Sequence, residues 1–306
     1  MAEKINVAEL VEKMPPTDKE LEAIEQAKKQ PEGEKKPIPQ NPESKFTGPE
    51  PEVAAEICET LLKGAPDSIR ELISMVKDPG SPEFKNYKAE YLTHILAVYT
   101  GKDGKQEQRK MVARIFASYL GDGKTPEYVQ GFLARQLQRI GDKEVVPALG
   151  KLLTNENLCD YAAAALISIN EGAVQQFKAA FPDCKGRCRL VAIQSLAALG
   201  DADSSKIFRD ALKDADINIR LAGAWGIVKT VDEQAIPDLI KAADAESHFE
   251  RSKMASACIQ LAEALAAKGK KQEAAKIFTY LRDSRKDPKE KYIRDLASKW
   301  LATTVL

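Results

Sequence analysis

At 306 residues the chain stands near the upper size limit of a single globular core, so several domains or a repeat architecture is expected. Lys and Arg number 46 and so do Asp and Glu, which excludes a strong overall field drawing the chain to nucleic acid or to a membrane surface. No run reaches the roughly 18 apolar residues of a membrane helix. The start, MAEKINVAELVEKM, has no apolar h-region, which favours the cytoplasm.

Residues 1–52 hold 8 of the 16 prolines, 12 acids and 8 lysines, with no tryptophan or tyrosine. The stretch QPEGEKKPIPQNPESKFTGPEPE is too polar and too broken by proline to bury a core. Before it, Thr17 to Glu20 forms a capping box that opens a short, mostly charged helix to about Lys29. The segment 1–52 reads as a flexible tail, free or docked back on the rest.

Helical periodicity begins at Pro51. Pro51 to Lys63 turns Val53, Ala54, Ile57, Leu61 and Leu62 inward and caps the stack of hairpins. Ser68 to Lys77 and Glu83 to Tyr99 make the first full hairpin. Ser81-Pro82 and Thr125-Pro126 are each an N-cap followed by proline at the first helical position. The second precedes a helix from Glu127 to Ile140. Asp287-Pro288 repeats the device before Lys289 to Leu301. Between them, Ser205 to Leu212 and Asn218 to Lys229 form a hairpin. The small residues Ala222, Gly223, Ala224 and Gly226 let another helix approach closely.

The hairpins recur. A polar marker followed seven residues later by an apolar one appears at Lys88, Gln130, Asp160, Arg189, Arg220, Arg251 and Arg294. Spacings between Gln130 and Arg251 are 30, 29, 31 and 31, the length of one helical hairpin with two short turns. The outer spacings, 42 and 43, require longer loops or helices. Val146-Pro147-Ala148-Leu149 and Ile236-Pro237-Asp238-Leu239 match across three repeats. Asp183 and Asp214 stand six residues before Arg189 and Arg220.

These residues resemble the HEAT repeat family, in which an Asp of the inter-helix turn and an Arg bond between neighbouring repeats as a ladder. The resemblance covers roughly Asp67 to Leu306. It implies an all-α fold: an α-solenoid (superhelix) of about seven HEAT-like helical hairpins over residues 53–306, behind a low-complexity N-terminal tail. Asp183, Arg189, Asp214 and Arg220 are the expected ladder. The stretch 261–288 also looks like a tetratricopeptide hairpin, since both kinds of hairpin pack on small residues.

Chemistry is sparse. His94 lies on an apolar helix face and His248 in a loop, and two histidines in unrelated contexts argue against triad or metal chemistry. HEAT-like deoxyhypusine hydroxylases bind iron through His-Glu pairs, and no His-Glu dipeptide occurs here. Cys184 and Cys188 are a close pair without the second half of a metal site, so they read as a turn and a helix start. Cys58, Cys159 and Cys258 read as small core residues, and cysteine usage fits a reducing compartment. No phosphate loop is present. No catalytic residue, cofactor or metal is expected.

The reading is a non-enzymatic scaffold that binds another protein on the concave face of the solenoid. Five residues after the markers stand Thr93, Arg135, Ala165, Gln194, Trp225, Ser256 and Lys299, mostly polar, so the position faces away from the core. Trp225 is the large aromatic of this row, with Leu221 one turn before it. Trp225, Leu221, Gln194 and Ser256 are the candidate partner-binding residues, against the alternative that Trp225 covers small residues of its own fold. Two other functions stay open. Residues 268–299 carry 11 Lys and Arg against 5 Asp and Glu, interleaved with Tyr280 and Tyr292 and followed by Trp300, which would suit a nucleic-acid backbone. HEAT-like lyases that attach bilins to phycobiliproteins have little signature beyond the repeats.

Overall fold

A computed structural model describes residues 5–14 and 49–304, the side chain of the last excepted. The expected helix from Thr17 to Lys29 lies outside the described residues. Among those described there are helices and turns but no strand. The chain divides into two compact units, residues 1–149 and 150–306.

The first unit contains α1 (Val7–Glu12), α2 (Pro51–Lys63), α3 (Asp67–Ser74), α4 (Lys88–Thr100), α5 (Gln106–Ala117) and α6 (Glu127–Ile140), and the short α7 (Val146–Gly150) begins at its end. α4 is its centre and packs against α1, α2, α3, α5 and α6. Leu92, Leu96 and Ala97 of α4 are wholly buried there. The helix expected from Glu83 starts later. The Ser81 hydroxyl accepts from the Glu83 N–H at 3.1 Å and closes only a turn. The Asn86 side chain then accepts from the Lys88 N–H at 3.0 Å, and the helix begins at that point.

Residues 5–14 do not behave as a free tail. The Asn6 side chain caps α1 by accepting from the Glu9 N–H at 3.2 Å. Val7, Leu10, Val11 and Met14 are buried, at the i, i+3, i+4, i+7 spacing of one helix face. α1 packs on α3 and α4, and the Lys88 ammonium reaches the Glu12 carboxylate at 2.7 Å.

The second unit contains α8 (Cys159–Ile169), α9 (Ala173–Ala180), α10 (Gly186–Ala198), α11 (Ser205–Ala211), α12 (Ile217–Thr230), α13 (Ile236–Ala242), α14 (His248–Ala267), α15 (Lys271–Ser284) and α16 (Lys291–Thr304). First helices (α9, α11, α13, α15) alternate with second helices (α10, α12, α14, α16). Each packs on its hairpin mate, and α8, α10, α12 and α14 also pack on one another in order. The small residues of α12 serve close approach. A Cβ on Gly223 would come within 2.7 Å of the Phe208 carbonyl oxygen, and one on Gly226 within 2.3 Å of the Phe208 ring. α11 can therefore lie against α12 only because both positions are glycine.

Candidate functional site

The register of the second helices is set by arginines. Arg220 of α12 donates through Nε and Nη2 to both carboxylate oxygens of Glu250 on α14, at 2.5 and 2.7 Å. Its Nη1 donates to the main-chain oxygens of Asp214 and Ala215 at 2.7 and 2.9 Å. Arg251 repeats the arrangement one hairpin on. Its Nε meets Glu290 at 2.6 Å, and its Nη1 meets the main-chain oxygens of Ala245 and Glu246 at 3.1 and 3.0 Å. Each guanidinium thus ties the turn of its own hairpin to the next one. The hydrogen bond from Arg220 holds the Glu250 carboxyl below the ordinary glutamate range, and the carboxylate in turn raises Arg220.

The proposed ladder residues fall differently from one another. Arg189 donates to the Asp214 carboxylate at 3.3 Å, across neighbouring repeats, and its guanidinium lies 4.7 Å from the Phe181 ring centre. Asp183, in a tight turn over Phe181–Asp183, is not its partner. Arg220 uses the main chain of Asp214, while its carboxylate partner is Glu250. Glu250 and Glu290 were not expected as arginine acceptors, Glu290 reading only as a capping-box residue after Asp287, although each directly precedes the marker position of its helix. Because Glu290 answers to Glu250, the last marker is Lys291, three residues before Arg294. The row five residues on from the markers then ends at Leu296 in place of Lys299.

Gln194 on α10, Trp225 on α12 and Ser256 on α14 are exposed on three helices that pack in sequence, and Leu221 is half-buried one turn before Trp225. Trp225 is 37% exposed, with the Lys229 ammonium 5.7 Å from its ring centre. Thr93 and Ala165, assigned to the same outward row, are instead wholly buried. In Ala165 a small apolar residue sits at a helix contact. The Thr93 hydroxyl donates to the Ala89 carbonyl at 2.7 Å and needs no solvent.

Four of the 11 basic residues between 268 and 299 are ion-paired within the described residues. Lys270 pairs with Glu233, Arg282 with Asp283 and Lys291 with Asp295. Arg285 is 2% exposed and donates to the Tyr280 hydroxyl at 2.8 Å, while that hydroxyl donates to Asp244. Trp300 stacks on Phe278 with ring centres 4.4 Å apart.

All five cysteines are free and buried. Burial pushes the Cys58, Cys159 and Cys258 thiols up to about 12 and Cys184 to about 11. Cys184 donates to the Leu153 carbonyl at 3.6 Å. His94 Nδ1 lies 2.9 Å from Gln136 Oε1, and His248 is the first residue of α14 and not part of a loop. Among the described residues no three His, Cys, Asp or Glu side chains converge as metal ligands. No helix among them is long and apolar enough to cross a membrane.

Residues 174–259 match the family model of HEAT repeats, and residues 129–155 match that of the PBS lyase HEAT-like repeat. None of the curated proteins matches the chain. Among solved structures, human deoxyhypusine hydroxylase in complex with glycerol aligns over 92% of this chain and 96% of its own, at 16% identity and a TM-score of 0.32. The matches identify HEAT repeats within this all-α chain, and together with helices that pack in sequence-adjacent pairs they fit an α-solenoid fold.

Proposed function

We propose that the chain is a non-enzymatic scaffold that binds another protein on the exposed side of α10, α12 and α14, with Trp225 and Leu221 as anchors and Gln194 and Ser256 at their flanks. The observation that carries this reading is the exposure of Trp225 in a row otherwise held by Gln194 and Ser256. An indole buries a large area on binding at small entropic cost, which is why tryptophan is enriched among interface hot spots. The stacking of Trp300 on Phe278 takes up an aromatic ring that would otherwise stack on a base, which favours a protein over a nucleic acid as the partner. Free, buried thiols suit a reducing compartment such as the cytoplasm.

The test compares affinity purification from the native cell with wild-type and Trp225→Ala protein. The expected result is loss of a specific bound protein, an affinity drop of about 2 kcal/mol or more, and a nearly unchanged melting temperature. Retention of every bound protein by the variant, or a large fall in its stability, would return Trp225 to the fold.

A further inference from the structure

The register set by Arg220 and Arg251 aligns the outward faces of α12, α14 and α16. On α12 the face carries Leu221, Trp225 and Lys229, one turn apart. On α14 it carries Phe249, Lys253, Ser256 and Gln260, and on α16 Tyr292, Leu296 and Lys299. Phe249 is 56% exposed, Tyr292 59% and Leu296 40%. The Ser252 and Tyr292 hydroxyls, 3.3 Å apart, join α14 to α16. Each helix repeats one device, an exposed apolar side chain followed a turn later by a lysine. The Lys253 ammonium stands 5.7 Å from the Phe249 ring centre, as Lys229 stands from Trp225.

The charges on this face do not balance. Lys291 is neutralised by Asp295, and Arg220 and Arg251 are taken up by Glu250 and Glu290. Lys229, Lys253 and Lys299 have no carboxylate partner among the described residues. Against them stands Glu263, nearly three turns beyond Lys253 on α14. Covering the exposed aromatics would also strip water from these ammonium groups, and a buried cation is tolerated only with an anion beside it. A partner must therefore bring carboxylates next to its apolar side chains.

The geometry points to an acidic peptide segment with interspersed apolar side chains as the occupant of the α12–α14–α16 face, an inference that rests on the protein-binding reading above. Three lysines, one per helix, fall short of the roughly 6–10 phosphate contacts of a typical nucleic-acid binder. Ser256 and Gln260 between them suit the amide and carboxylate groups of a polypeptide.

The test uses the full chain and a fluorescein-labelled peptide of Glu, Leu and Phe, with a Lys-for-Glu counterpart and a single-stranded oligonucleotide of equal length. Anisotropy is read at near-physiological salt for wild type, Trp225→Ala and the triple variant Lys229→Glu, Lys253→Glu, Lys299→Glu. The acidic peptide should bind wild type, weaken about tenfold or more in either variant, and lose to its basic counterpart on the triple variant. Circular dichroism and melting should be unchanged, since all three lysines are exposed. The inference is overturned by absent peptide binding, by equal affinity in the triple variant, or by tighter binding of the oligonucleotide. A dimer that dissociates on charge reversal would assign the face to a second copy and overturn it too. If Trp225→Ala abolishes capture of the cellular partner while the triple variant retains it, the protein-binding reading stands and the acidic chemistry falls. If neither variant affects capture, both fall.

Discussion

Arg220→Ala removes four hydrogen bonds at once, two to the Glu250 carboxylate and two to the turn carbonyls of Asp214 and Ala215. It leaves Glu250, which is buried, without its cation. Removing one partner of a buried ion pair costs about 3–5 kcal/mol. The Arg220 side chain is 22% exposed, so water can partly replace it, and the expected cost is nearer 2–3 kcal/mol. The dependence on pH has a definite sign. The folded state depresses the Glu250 pKa, so the stabilisation is fully present above the ordinary glutamate value of about 4.3 and is lost as pH falls through the depressed folded value. Urea denaturation at pH 7 should give a lower midpoint with an unchanged slope, and the gap to wild type should narrow as the pH is taken below about 4. In a double-mutant cycle with Glu250→Ala, the two changes should couple by about 1 kcal/mol or more. A cost under about 0.5 kcal/mol, or a gap that does not change with pH, would refute the bridging role of this arginine.

Leu10→Ala in α1 should lower stability by about 2–3 kcal/mol, since the side chain is buried among α3 and α4, and an unchanged urea midpoint would restore residues 5–14 to a free tail. Gly226→Ala places a methyl 2.3–2.6 Å from the Phe208 ring. Overpacking of about 1–3 kcal/mol should outweigh the helix-propensity gain of about 1 kcal/mol, and a raised melting temperature would contradict the close approach of α11. Cys58, Cys159 and Cys258, pushed up to about 12 by burial, should react with a thiol reagent at pH 8 only in denaturant. Rapid native labelling of any of them would show that its helix opens.

The repeat was legible in the sequence because hairpins of nearly constant length return the same chemistry every 29–31 residues from Gln130 to Arg251. Gly223 and Gly226 announced a close helix contact, since little else explains two glycines inside one helix. The ladder was legible in kind but not in its partners. A glutamate such as Glu250 at the start of a helix reads equally well as a favourable charge near the helix dipole, and only the fold shows Arg220 reaching it across a hairpin. The last marker slipped because α14 and α15 run to 20 and 14 residues, against 14 and 7 in their counterparts α12 and α13 one repeat earlier. α1 was overlooked because proline and charge averaged over 1–52 hid the stripe of Val7, Leu10, Val11 and Met14. The pairing of Lys270 and Arg285 depends on Glu233 and Asp244, far away in sequence, and no local pattern announces such pairs.

The arginine clamps also set a rule for how this chain can grow or shrink. Arg220 draws its carboxylate from the residue just before the next marker, and Arg251 does the same. A tandem copy of residues 220–250, inserted after Glu250, would hand every guanidinium an acceptor and keep each helix in step. Excising that block would pass Arg251 into the place of Arg220, still facing Glu290. Arg189 obeys another rule, because its acceptor, Asp214, lies in the turn before α12 and not beside the marker. A tandem copy of residues 189–219 would likewise give each Arg189 its own Asp214, so lengthening by duplication is open at both kinds of pairing, each with its own block boundary.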